Sequence, residues 1–143
     1  MKTLQVMTQL AFKGQCRKAF EFYEKVLDGK IAAMNTFGAS DAKLPPGSTE
    51  SAPDHIRFAD LTIGAYSILG NDVPEKEYRP MQGFHISLHV KTAAEASRIF
   101  NALSEGGHIE TPLSEVAWSS AFGIVRDRFG TPWLILSLDK AIS

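Results

Sequence analysis

Gly29-Lys30-Ile31 and Gly107-His108-Ile109 say the same thing 78 residues apart. Each tripeptide closes a helical stretch that follows a strand-like run. At that offset Leu10 falls on Leu88 and Phe22 on Phe100. Each tripeptide is followed by short strand-like runs with a glycine turn between the last two, at Gly64 and Gly130. The reading is two copies of one half-sheet unit, with a ligand cleft expected at the seam.

Upstream of the first tripeptide, Leu4 to Phe12 alternates, with Leu4, Val6, Leu10 and Phe12 on one parity, and is expected to be a strand. From Cys16 to Leu27, apolar residues recur at three- and four-residue steps through Ala19, Phe20, Tyr23 and Val26, which predicts an amphipathic helix. Gly29 is expected to stop it. Ile31 to Phe37 is a further expected strand. His55 to Thr62 and Ala65 to Leu69 bracket Gly64 as a hairpin. Gly38 to Pro53 lacks apolar periodicity and reads as a long loop, a length usually found in functional lids or disordered segments.

Phe84 to Val90 is the clearest strand. Phe84, Ile86, Leu88 and Val90 point one way, and His85, Ser87 and His89 the other. Thr92 with Glu95 predicts a capping box ahead of a helix to about Glu105, with Ala96, Ile99, Phe100 and Leu103 buried. His108 to Thr111, Ser119 to Arg126 and Pro132 to Leu138 complete the second copy, with a turn at 127–130 carrying local salt bridges. The predicted fold class is α+β: two βαβββ repeats forming a curved mixed sheet with helices on its outer face. Residues 1–143 form one domain of two modules, about 1–72 and 83–143, joined by a linker at 73–82.

Length and charge narrow the function. A chain of 143 residues is large enough for an independent core. Its formal net charge of -1 gives no basic face for nucleic acid. No apolar stretch approaches the roughly 20 residues needed to cross a bilayer, so no membrane partner is expected. The single cysteine, Cys16, excludes an internal disulfide and fits a reducing cytoplasm.

A concave inner sheet face is the natural ligand site, and His85, Ser87 and His89 are expected to point into it. Four strand residues separate His85 from His89 by about 13 Å, too far for adjacent ligands of one metal bound at about 2.0–2.1 Å. Trp118, Phe122 and Trp133 are either core or an apolar wall for a planar ligand. Arg57 could meet a ligand carboxylate or reach solvent. Glu21, Glu24, Glu75, Glu77, Glu105 and Glu110 read as solvated, and Cys16 as a small buried apolar group. No nucleophile elbow, P-loop or dinucleotide fingerprint is present.

The βαβββ duplication resembles the vicinal oxygen chelate superfamily of glyoxalase I, bleomycin-resistance proteins and extradiol dioxygenases. More closely, 12–16 (Phe-Lys-Gly-Gln-Cys) with Ala19, Phe22 and Tyr23 is similar to the opening of PhnB-like proteins. So are Tyr78, 80–84 (Pro-Met-Gln-Gly-Phe), Trp118, Phe122-Gly123 and 127–133 (Asp-Arg-Phe-Gly-Thr-Pro-Trp). Members of this group are sometimes labelled 3-demethylubiquinone 3-methyltransferase-like, but no glycine-rich loop for S-adenosylmethionine supports that activity here.

The resemblance implies four metal positions, from the first and last strand of each half. They fall on Thr8 or Gln9, on Ser67, on His85, and on Leu134 where the relatives carry Glu. Only His85 is a good ligand type, and Leu134 has no donor atom. The glyoxalase I metal is therefore not expected. No cofactor is expected; a divalent metal would meet an incomplete ligand set. Lactoylglutathione lyase chemistry, which needs the metal and a carboxylate, is in doubt. The expectation is a small-molecule binding protein in which Thr8, Gln9, Ser67 and His85 make polar contacts and Trp118 and Phe122 an apolar wall. The alternative is a lyase, isomerase or dioxygenase relative with His85 as catalytic base or with a recruited metal. The resemblance also implies a homodimer.

Overall fold

The computed structural model describes residues 4–39, 44–46 and 51–140. Its strands and helices run β1 (Thr8–Phe12), α1 (Cys16–Val26), β2 (Lys30–Thr36), β3 (Ile56–Ile63), β4 (Tyr66–Asp72), β5 (Ile86–Val90), α2 (Ala93–Ser104), β6 (His108–Val116), β7 (Ser119–Arg126) and β8 (Pro132–Ser137). A 3-10 turn at Glu75–Glu77 interrupts the connection between β4 and β5. The 78-residue offset carries Thr8–Phe12 onto Ile86–Val90 and sets the starts of β2 and β6 in register. The chain divides into two units, Met1–Arg79 and Pro80–Ser143, each an α+β βαβββ unit with its own four-stranded mixed sheet.

In the first unit the strand order is β1-β4-β3-β2, with β1 parallel to β4 and the other pairs antiparallel. The expected strand from Leu4 is shorter than its alternation suggests. Pairing begins at Thr8 opposite Ile68, and Leu4 and Val6 stay exposed. Helix α1 buries Cys16, Ala19, Phe20, Tyr23 and Val26 against one sheet face. Phe20 meets Phe12 edge-on, with ring centroids 6.1 Å apart. Fully burying an aromatic of this kind contributes roughly 1.5–3 kcal/mol. The helix start lacks a side-chain cap from its own N-cap residue, Gln15. Instead, the buried carboxylate of Asp72 on β4 accepts the Cys16 N–H at 3.0 Å and the Ile56 N–H at 2.7 Å.

Gly29 does not end α1 in the way expected. The left-handed residue is Asp28, at φ 53°. Gly29 is needed for another reason: a Cβ there would lie 2.9 Å from the carbonyl oxygen of Thr62 on β3. Gly107 repeats this in the second unit, where a Cβ would meet the carbonyl oxygen of Arg126 on β7. The repeated tripeptide is thus a packing requirement, made twice. Glu24 is not solvated as expected either; its Oε2 accepts the Ile31 N–H at 2.6 Å and ties α1 to β2.

The long connection from β2 to β3 is held at its base. Phe37 N–H donates to the His55 carbonyl at 3.0 Å, and Gly38 N–H to the Pro53 carbonyl at 2.9 Å. The Ser51 hydroxyl, also at this base, lies 2.6 Å from His55 Nδ1. Residues 40–43 and 47–50 of the expected long loop lie outside the described residues.

The second unit repeats the plan with the order β5-β8-β7-β6. Thr92 caps α2 as its sequence predicts, its Oγ1 accepting the Glu95 N–H at 3.2 Å. Ala96, Ile99, Phe100 and Leu103 are buried, packed mainly on β7 and β8. Strand β6 runs five residues past the expected Thr111, to Val116, through register shifts against β7. The 127–130 turn carries more than surface ion pairs. Asp127 is buried, and its carboxylate accepts from Phe129 N–H (2.8 Å), Thr131 N–H (3.1 Å) and the Trp133 indole N–H (2.8 Å).

Candidate functional site

Side-chain parity decides which residues are available to a ligand. In the first unit Ala59, Leu61, Ile68 and Gly70 lie on the α1 side. Gln9 pairs with Leu69 and Ala11 with Asn71, so Gln9, Ala11, Ser67, Leu69 and Asn71 share the helix-free side. Thr8 pairs with Ile68 and has the other parity, shared with Leu10 and Phe12. Of the two positions between which the sequence left a one-residue ambiguity, Gln9 stands on the face that α1 leaves uncovered and Thr8 has the opposite parity.

Gln9 Nε2 donates to Asn71 Oδ1 at 2.9 Å, and Asn71 Nδ2 donates to the Asp72 carbonyl at 3.3 Å. The pair still offers the Gln9 carboxamide oxygen as an acceptor. It forms one wall of a hollow of about 520 Å³. Arg57 and Glu77 add charge to the lining, and Phe37, Leu44 and Pro46 add hydrocarbon. Small-ligand cavities fall in the range of about 300–1,000 Å³ and pair mostly apolar walls with a few placed polar groups. Asn71 was missed in the sequence because β4 was expected to stop at Leu69. The alternation Ser67, Leu69, Asn71 was its signal.

In the second unit the parallel register sets Ser87 beside Leu134 and His89 beside Leu136. Across β8 and β7, Leu134 pairs with Ile124 and Leu136 with Phe122. The face opposite α2 thus carries Ser87, His89, Leu134, Leu136, Phe122 and Ile124. His85, one step before β5, is exposed and shares the alternation of Ser87 and His89. Among the described residues none hydrogen-bonds its imidazole, whereas Ser87 Oγ lies 2.8 Å from His89 Nε2. Trp118, in the β6–β7 turn, is 49% exposed and meets Phe122 edge-on. Trp133 belongs elsewhere, fully buried on the α2 side. The three aromatics that the sequence grouped together separate into one core residue and two on the helix-free side.

The superfamily's metal does not suit these residues. The first unit offers a carboxamide and a hydroxyl at Gln9 and Ser67. The second offers one imidazole, and at Leu134 a hydrocarbon on the strand beside Ser87. Tight zinc or nickel sites use His, Cys and carboxylate donors. Among the described residues no group of three or more such side chains is placed to hold an ion.

The model of the family described as 3-demethylubiquinone-9 3-methyltransferase matches residues 4–136. The chain belongs to that family. Its fold is shared with solved structures described as glyoxalase/bleomycin resistance/dioxygenase proteins from Frankia and Burkholderia phytofirmans, at TM-scores of 0.63 and 0.61. The chain is 31% identical to protein YjdN of Escherichia coli over 133 residues, covering 88% of this chain and 90% of that one. The crystal structure of PA1353 from Pseudomonas aeruginosa superposes with a TM-score of 0.84 at 37% identity, covering 94% and 98% of the two chains. A Bacillus cereus PhnB protein, described as a putative 3-demethylubiquinone-9 3-methyltransferase, has the same fold at 21% identity and a TM-score of 0.76, covering 94% and 99%. No helix among the described residues is long and apolar enough to cross a membrane.

Proposed function

We propose that this PhnB-like chain binds a small organic ligand against the helix-free faces of its sheets, without the glyoxalase I metal. The observation that carries the reading is the hollow of about 520 Å³ over the Gln9–Asn71 pair, where a fixed amide wall faces Phe37, Leu44 and Pro46. Affinity would come from burying ligand surface at about 25 cal/mol per Å², with Gln9 and Asn71 setting orientation. Ser67, His85, Trp118 and Phe122 are the other proposed contacts, each on or beside the uncovered face of its own sheet. The reading includes a homodimer, which the family resemblance implies, and a cytoplasmic setting, which the lone Cys16 fits.

The rival reading is an enzyme with His85 as base. Among the described residues of its own unit none hydrogen-bonds that ring, and a general base works from a fixed position. The test is a metabolite-library screen followed by amide chemical shifts of the full chain. A saturable hit that moves Gln9, Phe37 and Asn71 and is weakened by Gln9→Ala supports binding there. A library without any such hit contradicts it.

A further inference from the structure

A second hollow, of about 380 Å³, opens on the first unit between Gln5, Val6, Met7, Asp60, Tyr66 and Ser67. Register places Asp60 opposite Leu69 and Thr62 opposite Ser67, on the helix-free side, while Ala59 and Leu61 are fully buried under α1. Among the described residues, Asp60 Oδ1 is the buried side-chain oxygen or nitrogen left without a hydrogen-bond partner. Burial of a carboxylate oxygen without a donor is unfavourable, and such groups are ordinarily paired. Among the described residues, no lysine or arginine lines the hollow to supply the donor. Its rim instead carries large apolar side chains held in solvent: Val6 is 88% exposed, Tyr66 78% and Met7 45%.

We infer that this hollow is a subsite for the protonated nitrogen of an amine or amidine ligand. The nitrogen pairs with the Asp60 carboxylate, which lines the hollow, and the hydrocarbon part lies on Val6, Met7 and Tyr66. A charge-assisted hydrogen bond is the strong kind, and an aromatic rim adds cation–π attraction. The inference deepens the reading of this sheet face as a ligand surface, and rests on it.

The test titrates the full chain with benzylamine, a cation at neutral pH, and with benzyl alcohol, its neutral counterpart, following amide shifts. Benzylamine is expected to move Met7, Asp60, Tyr66 and Ser67 and to saturate at roughly tenfold lower concentration than the alcohol. Asp60→Asn is expected to abolish that preference, leave alcohol binding in place and leave thermal stability undiminished. Equal binding of the two probes, or a preference that survives Asp60→Asn, overturns the subsite alone. Loss of stability in Asp60→Asn overturns it by revealing an internal partner for the carboxylate. Silence of these amides to both probes removes the ligand reading at this end of the face, and the subsite with it.

Discussion

The rings of Trp118 and Phe122 stand edge to face, with centroids 5.8 Å apart and planes at 79°. The contact joins a turn residue to a strand residue on the side that α2 leaves bare, and Trp118 keeps half its surface in solvent. An aromatic pair of this geometry contributes about 0.5–1.5 kcal/mol beyond its buried area. Trp118→Ala should therefore cost roughly 1 kcal/mol in urea denaturation, with the fold intact, while weakening ligand binding. A cooperative loss of structure would assign Trp118 to the core instead.

Asp127 makes the opposite case. Its carboxylate serves two backbone donors and the buried Trp133 indole. Asp127→Ala leaves three buried donors without this acceptor and should cost on the order of 3 kcal/mol. Trp133→Phe keeps most of the volume but removes one donor, and should cost about 1–2 kcal/mol. Denaturant midpoints measured side by side check both values and their order.

Burial, and next to it the Asp72 charge, push the Cys16 thiol well above the ordinary cysteine range. The unfolded chain deprotonates near pH 8.5 and the folded chain only at higher pH. The stability tied to the neutral thiol is then fully present below about pH 8.5 and falls as pH rises beyond it. Urea midpoints from pH 7 to pH 10 should show this loss, and Cys16→Ala should flatten its share of the slope. In the native chain Cys16 should resist a thiol reagent that labels the unfolded chain quickly.

Gly29 and Gly107 test the doubling itself. Both positions bring the backbone against a carbonyl of the third strand of their unit. Gly29→Ala and Gly107→Ala should each destabilise by about 2 kcal/mol or more, whereas alanine at an unconstrained non-helical glycine is close to neutral. Thermal denaturation of the two variants would show whether the copies share the constraint.

Periodicity made the doubling, both helices and the strand Ser119–Arg126 legible in the amino-acid sequence, because each pattern comes from burial on one face. Boundaries set by a distant partner were not legible. Strand β1 starts at Thr8 because its parallel pairing with β4 starts there, although alternation runs back to Leu4. Strand β6 continues past Thr111 because β7 pairs with it across irregular register, a partnership that Pro112, lacking an N–H, conceals. Parity alone placed the His85 alternation and Phe122, whereas Ser67 came from the family resemblance. The choice of Gln9 over Thr8 needed the β1–β4 register. The burial of Asp127 and the unpaired oxygen of Asp60 needed the assembled sheets, since nothing local distinguishes those carboxylates from solvated ones.

The proposed occupant is an organic molecule and not a metal ion, and native mass spectrometry of the chain purified without chelator decides between the two. The expected spectrum shows a non-covalent adduct of organic mass, diminished in Gln9→Ala and carrying no metal. A stoichiometric zinc, nickel, manganese or iron ion that disappears in His85→Ala would refute the ligand reading.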